Sequence, residues 1–189
     1  MTDNVILCGV GGQGTVLASK LLAAAAMDRG LPVKTAETIG MAQRGGSVFS
    51  HVRMGEGAAS PLIGRGRADL IIAFEPAEAV RQLPYLRPGG TVVVSDRPVV
   101  PVSATVGGPA YDLGAIMAYL RTTVPNLVVI DAQRAAEELG STKCLNVVLL
   151  GAATRAGALG LTTDDVERVV RNMVPERFLD LNLRALSWE

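Results

Sequence analysis

A glycine motif between an apolar run and a helix restricts the fold of this chain more than any other feature. Residues Asn4–Gly9 read NVILCG, a short run rich in branched apolar side chains that is typical of a buried strand. The motif Gly9–Gly14 reads GVGGQG and fits the pattern G-x-G-x-x-G, and Gly12–Arg29 then has the composition of a helix. A strand, a glycine turn and a helix in this order form the first unit of a doubly wound α/β sheet. The helix is apolar nearly all round, so we expect it to be buried on most sides.

Short apolar runs alternate with helical segments along the rest of the chain, without an internal repeat or a linker. The later predicted strands are Pro32–Glu37, Ser47–Met54, Ala68–Phe74, Thr91–Ser95 and Leu127–Ile130. The later predicted helices are Pro76–Leu83, Asp112–Thr122, Gln133–Leu139, Thr142–Ala156, Thr163–Val174 and Glu176–Leu186. This alternation predicts an α/β fold with three layers, α/β/α, around a Rossmann-like, mostly parallel sheet, in a single domain over residues 1–189.

One predicted strand, Ser47–Met54, departs from the alternation of strand and helix. Its side chains alternate with a period of two, which indicates a strand at a place where a dinucleotide-binding unit continues with a helix. Gly55–Gly57 predicts a turn, and we expect Ser60–Ile63 to pair back onto the strand. The sequence therefore predicts a β-hairpin inserted into the sheet.

The charge balance and the length of the apolar stretches argue against two classes of partner, nucleic acids and membranes. Lys and Arg number 18, and Asp and Glu also number 18, so the formal net charge is zero. General nucleic-acid binding needs an excess of Lys and Arg on one face, so we expect no nucleic acid. No apolar stretch approaches the ~20 residues of a spanning helix, so we expect no membrane segment. With 19% charged and 49% hydrophobic residues the chain is apolar for its size, which favours surface buried against partner subunits.

The chain has few residues that could hold a redox centre or a structural metal. It contains two cysteines, Cys8 and Cys144, and one histidine, His51. A four-cysteine iron–sulfur cluster or a structural zinc site needs more ligands than these. We expect both thiols to be small core residues in a reducing cytoplasm, with a disulfide between them as the alternative. His51 stands alone on a predicted strand, and we expect it to be structural.

The glycine motif also suits an anionic ligand. Its glycines permit close approach of the backbone, and the helix N-terminus that follows offers free N–H groups and a partial positive charge to a phosphate or carboxylate. Glu37 ends the second predicted strand, where a dinucleotide-binding fold places the acid that binds ribose. The residues alone leave two interpretations: a nicotinamide dinucleotide site, or glycines that only make a tight joint between strand and helix.

Two further groups of polar residues follow predicted strands. The loop Gly40–Gly46 reads GMAQRGG, and its Arg44 could face a carboxylate or a phosphate, the alternative being a solvated surface turn. Glu75 follows the strand Ala68–Phe74, at the edge where α/β sheets bind ligands. A role as the cap of the next helix explains Glu75 equally well.

Three blocks taken together resemble a known family. The stretches GVGGQG at 9–14, GMAQRGGSVFSHVR at 40–53 and ADLIIAFEPAEAVR at 68–81 are similar to the gamma subunit or gamma domain of 2-oxoacid:ferredoxin oxidoreductases. That family includes the pyruvate, 2-oxoglutarate, 2-ketoisovalerate and indolepyruvate enzymes, and in the last of these the corresponding chain is called the beta subunit. The stretches KCLNVVLLG at 143–151 and FLDLN at 178–182 are similar as well, so the resemblance covers essentially the whole chain.

The resemblance implies a role within a larger enzyme. Such an enzyme decarboxylates a 2-oxoacid oxidatively on thiamine diphosphate and Mg²⁺, passes electrons through iron–sulfur clusters to ferredoxin, and transfers the acyl group to coenzyme A. The thiamine-binding alpha and beta subunits and a ferredoxin-like iron–sulfur subunit are implied as partners that hold these cofactors. We therefore expect this chain to bind no cofactor itself and to be inactive alone. No nicotinamide cofactor is implied, which removes the ribose-binding role of Glu37.

The resemblance also implies which residues face the partner subunits or the approach of coenzyme A and substrate. They are Gly9, Gly11, Gly12, Gln13, Gly14, Met41, Gln43, Arg44, Gly45, Gly46, Glu75 and Asn146. No catalytic residue follows from it, and neither the 2-oxoacid nor the oligomeric state of the isolated chain is specified, a homodimer being compatible. Two other classes of function stay open: a free-standing dinucleotide-binding oxidoreductase, and an assembly or regulatory module with no part in the active site.

Overall fold

A sheet with one reversed strand forms the middle layer of the protein. The structure is a computed structural model, and it describes residues 3–37, 46–57, 59–101, 104, 108 and 110–189. The strands are β1 (Asp3–Val10), β2 (Val33–Glu37), β3 (Ser47–Met54), β4 (Ala68–Ala73), β5 (Leu86–Ser95) and β6 (Asn126–Ile130). Within the described residues they form one six-stranded sheet in the order β2-β3-β1-β4-β5-β6. Only β3 is antiparallel to its neighbours in this sheet, and β1, β4, β5 and β6 run parallel.

Helices lie on both faces of this sheet. They are α1 (Thr15–Asp28), α2 (Pro76–Gln82), α3 (Leu113–Thr123), α4 (Ala132–Leu139), α5 (Leu145–Arg155), α6 (Thr163–Met173) and α7 (Glu176–Leu186). Successive side chains of β1 point to opposite faces, so Val5 and Leu7 join one core while Ile6 and Cys8 join the other. The first core packs against α1, α4, α5, α6 and α7, and the second against α2 and α3. The predicted α/β class with a mostly parallel sheet is thereby confirmed.

The inserted strand β3 has different partners from those predicted. Ser60–Ile63 is not a strand. Instead β3 pairs on one side with β1, from Asp3 opposite Met54 to Val10 opposite Ser47, and on the other side with β2. Because both edges of β3 are already paired, no open edge is left for Ser60–Ile63. The predicted hairpin with Ser60–Ile63 is therefore wrong, and the hairpin partner of β3 is β2.

Two helices begin later than the sequence pattern predicts. Helix α1 begins at Thr15 because Gly12 and Gly14 have φ angles of 99° and 86°, outside the right-handed helical region. Helix α5 begins at Leu145, so the loop that precedes it includes Thr142. The outer side of α1 is also more exposed than its all-round apolar pattern predicts.

The two cysteines lie on opposite faces of the sheet. Both thiols are free, so the disulfide alternative is wrong. Cys8 belongs to the core beneath α2 and α3, whereas Cys144 belongs to the core beneath α1 and α5. Burial raises the pKa of the Cys8 thiol well above its usual value, and the nearby carboxylates of Glu78 and Glu75 raise it further. Cys8 is therefore an uncharged core residue at neutral pH.

Two kinds of feature are absent from the part of the chain that the structure describes. No helix there combines the length and the apolarity needed to cross a membrane. No group of three or more His, Cys, Asp or Glu side chains is placed there to hold a metal ion.

Candidate functional site

The glycine loop lies at the carboxyl edge of the sheet, between β1 and the start of α1. Gly12 and Gly14 turn the chain through the left-handed region that glycine adopts without strain. The Gly11 N–H donates to the Gly46 carbonyl at 2.9 Å, which ties this loop to the residue before β3. Of the predicted site residues in the second glycine-containing loop, Gly46 thus reaches the first loop. Met41, Gln43, Arg44 and Gly45 lie outside the described residues.

Gln13 folds back onto the ends of two strands. Its Oε1 accepts a hydrogen bond from the Val10 N–H at 2.7 Å, and its Nε2 donates to the Phe74 carbonyl at 3.0 Å. A Cβ atom at Gly9 would lie 2.7 Å from Gln13 Oε1 and 2.9 Å from Phe74 Cβ, so only glycine fits there. The side chain of Gln13 therefore shapes the loop from within, by joining the carboxyl ends of β1 and β4.

The helices that flank this loop lack side-chain caps at their N-termini. Gly14 precedes α1 and Cys144 precedes α5, and neither offers a side-chain hydrogen bond to the first turn. By contrast Glu75, Asp112 and Asp131 cap α2, α3 and α4 through their carboxylates. Neither α1 nor α5 has an acidic residue in its first turn. Apart from the Val147 N–H, which donates to the Cys144 carbonyl at 2.9 Å, the N–H groups in the first turns of these two helices are therefore available to an anion.

Asn146 connects these two helix ends. It lies in the first turn of α5 and is only 5% exposed, and its Oδ1 has no hydrogen-bond partner among the described residues. A Cβ atom at Gly14 would lie 3.1 Å from Asn146 Nδ2, so the amide packs directly against the glycine loop. An unpartnered buried amide is costly unless a ligand or water completes its hydrogen bonds.

An open cleft of about 440 Å³ lies between the two helix ends, and we call it the glycine-loop cleft. Its lining residues are Gly12, Gln13, Gly14, Leu17, Arg97, Val99, Thr142, Lys143, Leu145 and Asn146. Arg97 and Lys143 are exposed, and neither forms an ion pair with another described residue. Two uncapped helix ends and two cations make this cleft suitable for a phosphate or a carboxylate.

Sequence reasoning missed both cations of this cleft. Arg97 follows the carboxyl end of β5 by two residues, and Lys143 lies two residues before α5. The rule that α/β sheets bind ligands beyond the carboxyl ends of their strands points to Arg97. Nothing in the local sequence of Lys143 indicates that α5 would bring it beside the glycine loop.

Glu75 lies next to the glycine loop but is fully engaged within the fold. It is 1% exposed, its Oε2 accepts the Glu78 N–H at 2.9 Å, and its Oε1 accepts hydrogen bonds from the Tyr111 hydroxyl and the Val99 N–H. Burial raises the pKa of Tyr111, and its hydrogen bond to Glu75 raises it further, so the phenol stays protonated. Glu75 thus caps α2 and also holds the chain that follows β5 near the cleft.

Two other polar residues that the sequence analysis considered, Glu37 and His51, lie away from this cleft. Glu37, at the end of β2, accepts a hydrogen bond from the Ser19 hydroxyl at 2.9 Å. His51 is buried, its Nδ1 accepts the Ile63 N–H at 2.9 Å, and burial lowers its pKa. These are the contacts of a packed strand histidine, whose ring also lies against Phe49 and Tyr85.

Comparison with known proteins identifies the family. Residues 4–187 match the family model described as pyruvate ferredoxin/flavodoxin oxidoreductase. The chain belongs to this family. It is 42% identical over 188 residues to the indolepyruvate oxidoreductase subunit IorB of Archaeoglobus fulgidus, which covers 99% of this chain and 93% of that protein. The resemblance inferred from the sequence blocks is thereby confirmed, and the chain is a subunit of an oxidoreductase complex of the 2-oxoacid:ferredoxin type.

Solved structures share the fold of this chain. Pyruvate oxidoreductase subunit PORC of Thermotoga maritima matches with a TM-score of 0.69 at 22% identity, over 98% of this chain and 93% of that one. The 2-oxoglutarate:ferredoxin oxidoreductase of Magnetococcus marinus, solved with 2-oxoglutarate, coenzyme A and succinyl-CoA bound, matches with a TM-score of 0.68 at 22% identity. That match covers 98% of this chain but 30% of the other, so the same fold occurs there within a longer chain.

Proposed function

We propose that this chain is the gamma-type subunit of an enzyme that oxidises an aryl 2-oxoacid such as indolepyruvate, and that its glycine-loop cleft receives the phosphates of coenzyme A. The identity of 42% to a subunit named for indolepyruvate supports the substrate. The observation that carries the assignment of coenzyme A is the pair of uncapped helix ends, of α1 and α5, beside the unpaired cations Arg97 and Lys143. Coenzyme A presents a pyrophosphate and a ribose phosphate, which match this donor set.

The redox cofactors belong, in this proposal, to the partner subunits. In the overall reaction a 2-oxoacid and coenzyme A give an acyl-CoA and carbon dioxide, and two electrons pass to ferredoxin. Thiamine diphosphate, Mg²⁺ and iron–sulfur clusters supply that chemistry in thiamine-binding and ferredoxin-like subunits. The residues described here do not fit a cluster, because Cys8 and Cys144 are buried on opposite faces of the sheet and cannot bind one metal group together. This chain binds and orients coenzyme A beside the thiamine-binding subunit.

The charges of Arg97 and Lys143 set how strongly their removal should weaken the binding of coenzyme A. Charge-assisted hydrogen bonds to phosphate contribute ~1.5–3 kcal/mol each when both partners are well placed. Arg97 and Lys143 are exposed, so solvent screens them and each contributes only about 0.5–1 kcal/mol. A loss of ~1.4 kcal/mol weakens binding tenfold. Removing both cations should therefore raise the KM for coenzyme A roughly tenfold.

The test uses the assembled enzyme, isolated through a tag on this chain together with the subunits that it retains. The double variant Arg97→Ala/Lys143→Ala is expected to raise the KM for coenzyme A while kcat with saturating coenzyme A stays close to the wild-type value. Arg121→Ala is the matched control, since Arg121 is exposed on α3 and lies on the other face of the sheet. If the KM for coenzyme A is as unchanged in the double variant as it is in the Arg121→Ala control, the proposed site is contradicted.

The substrate and the partners are tested on the same preparation. Ferredoxin reduction with indolepyruvate is expected to exceed that with pyruvate or 2-oxoglutarate in kcat/KM, and the preparation is expected to contain thiamine diphosphate. Arg44→Ala tests the second glycine-containing loop of the sequence, Gly40–Gly46: we expect a lower turnover or a higher KM for coenzyme A. A preparation that retains no thiamine-binding subunit would exclude the proposed assembly.

A further inference from the structure

Two buried carboxylates stand at the start of α2, and the role of the second is not explained by capping. Glu75 caps the helix and holds the Tyr111 hydroxyl and the Val99 N–H. Glu78 lies in the first turn of α2 and is 2% exposed. A buried carboxylate is costly to desolvate, so packing alone would favour an apolar residue at this position.

The carboxylate of Glu78 is bonded to the beginning of β3. Its Oε2 accepts a hydrogen bond from the Ser47 hydroxyl at 2.5 Å, and its Oε1 accepts one from the Arg81 guanidinium. Ser47 is the first residue of β3 and lies opposite Val10, at the end of β1. Arg81 lies on α2 itself, so within the described residues the bond to Ser47 is what joins this carboxylate to another element.

The residue before Ser47 connects this contact to the glycine loop. The Gly46 carbonyl accepts the Gly11 N–H at 2.9 Å, and Gly12 of the same loop lines the glycine-loop cleft. Ser47 is exposed, so its bond to the buried Glu78 anchors this end of β3 to the core. A displacement of Ser47 would therefore also displace the carbonyl to which Gly11 is bonded.

We infer that Glu78 is a positioning residue for the binding of coenzyme A. This inference rests on the proposed function. Glu78 holds Ser47 through a charge-assisted hydrogen bond, and the neighbouring Gly46 carbonyl holds Gly11 and with it the glycine loop. A binding site keeps its affinity only while the groups behind it fix its geometry. Glu78 thus acts through Ser47 and does not itself contact the ligand.

The test measures the KM for coenzyme A of the assembled enzyme after changes at Ser47, which is exposed and can be replaced without disturbing the core. Ser47→Ala removes the hydroxyl and is expected to raise this KM roughly fivefold, while kcat at saturating coenzyme A and the KM for the 2-oxoacid change by less than about twofold. Ser47→Thr keeps the hydroxyl, and its KM should stay near the wild-type value. A merely structural role would lower kcat through loss of folded enzyme and leave the KM unchanged.

A double-mutant cycle tests whether Glu78 and Ser47 act together. Glu78→Ala and Glu78→Ala/Ser47→Ala are expected to raise the KM for coenzyme A by the same factor, because the hydroxyl has no carboxylate to bond once Glu78 is gone. Additive effects would overturn the inference. If Glu78→Ala does not fold, the comparison of Ser47→Ala with Ser47→Thr decides the inference alone.

The matched control makes the same change at an exposed serine elsewhere. Ser187 directly follows α7, and its hydroxyl donates to the Leu183 carbonyl at 3.1 Å. Ser187→Ala is expected to leave the KM for coenzyme A unchanged. A rise equal to that of Ser47→Ala would mean that the effect is not specific to the contact with Glu78, and the inference would be wrong.

The remaining outcomes separate this inference from the proposed function. If Arg97→Ala/Lys143→Ala raises the KM for coenzyme A and Ser47→Ala does not, the site stands and Glu78 has only a structural role. An equal rise with Ser47→Ala and Ser47→Thr also overturns the inference, because the hydroxyl then has no part in the effect. If neither Arg97→Ala/Lys143→Ala nor Ser47→Ala changes the KM, the proposed site and the role of Glu78 are both wrong.

Discussion

Replacing Gln13 by Ala should destabilise the protein because two backbone groups at strand ends lose their partner. The side chain bonds the Val10 N–H at 2.7 Å and the Phe74 carbonyl at 3.0 Å. Phe74 is fully buried and Val10 is 8% exposed, so water cannot readily replace the amide at Phe74. An unsatisfied buried backbone group costs ~1–3 kcal/mol. Water can reach Val10 more easily than Phe74 because Val10 lies next to the open glycine loop. The expected loss of unfolding free energy for the two groups together is therefore ~2–4 kcal/mol.

Gln13→Glu discriminates the hydrogen-bonding role from a role in volume filling. It keeps the acceptor for Val10 but replaces the donor to Phe74 by a carboxylate oxygen, which faces a carbonyl. At neutral pH the destabilisation should therefore equal or exceed that of Gln13→Ala, and it should diminish when acid protonates the carboxyl group.

The assay is urea unfolding of the isolated chain followed by circular dichroism. With a slope of about 2 kcal/mol per molar urea, the expected loss moves the midpoint down by ~1–2 M. The control is Gln133→Ala, an exposed glutamine whose amide donates to Glu137 on the same helix, and its effect should stay within ~0.5 kcal/mol. If Gln13→Ala unfolds with the same midpoint as this control, Gln13 does not hold the loop together and is free to face a ligand.

Two further predictions concern stability at either end of α1. Gly14→Ala should lower the free energy of unfolding by ~1–2 kcal/mol, because φ at Gly14 is 86° and the new Cβ would lie 3.1 Å from Asn146 Nδ2. Thermal unfolding measures this loss. A Gly14→Ala variant as stable as the wild type would contradict the geometry of the loop. Burial opposes ionisation of Asp165, but hydrogen bonds from Thr162 and Arg29 outweigh it and lower its pKa from 3.8 to about 2. The native pKa is the lower one, so this stabilisation is complete above the unfolded value and is lost as the pH falls through about 2. The difference in unfolding free energy between wild type and Asp165→Asn should therefore shrink from about pH 5 to about pH 2, and a difference independent of pH would refute the assignment.

Local sequence patterns predicted most of the elements because each depends on neighbours within a few residues. The period of two in Ser47–Met54 identified β3 within its observed bounds, and the glycine motif predicted the joint between β1 and α1. Pairing is not local, so the sequence could not show that β2 would occupy the edge of β3 that Ser60–Ile63 was expected to fill.

The residues of the candidate site likewise fall into two groups: those that the sequence predicts and those that only tertiary packing brings together. The glycines of the loop follow from the motif, and Asn146 follows from the family resemblance. Arg97 and Lys143 join the site through tertiary packing, since about 45 residues separate them in the chain and the cleft brings them together. Gln13 belongs to the motif, but only the structure shows that its amide is engaged by Val10 and Phe74.

One inserted strand changes what a G-x-G-x-x-G motif can bind. The motif itself guarantees a tight turn and an uncapped helix end, and both are present here in the glycines before Thr15. Binding a dinucleotide requires in addition an acid on the adjacent strand, within reach of the ribose. Here the adjacent strand is β3, which runs the other way and presents its amino end, at Ser47, to the loop. The acid that the spacing selects, Glu37, is one strand further away and accepts a hydrogen bond from Ser19. The motif therefore keeps the uncapped helix end that suits a phosphate and loses the geometry for the dinucleotide.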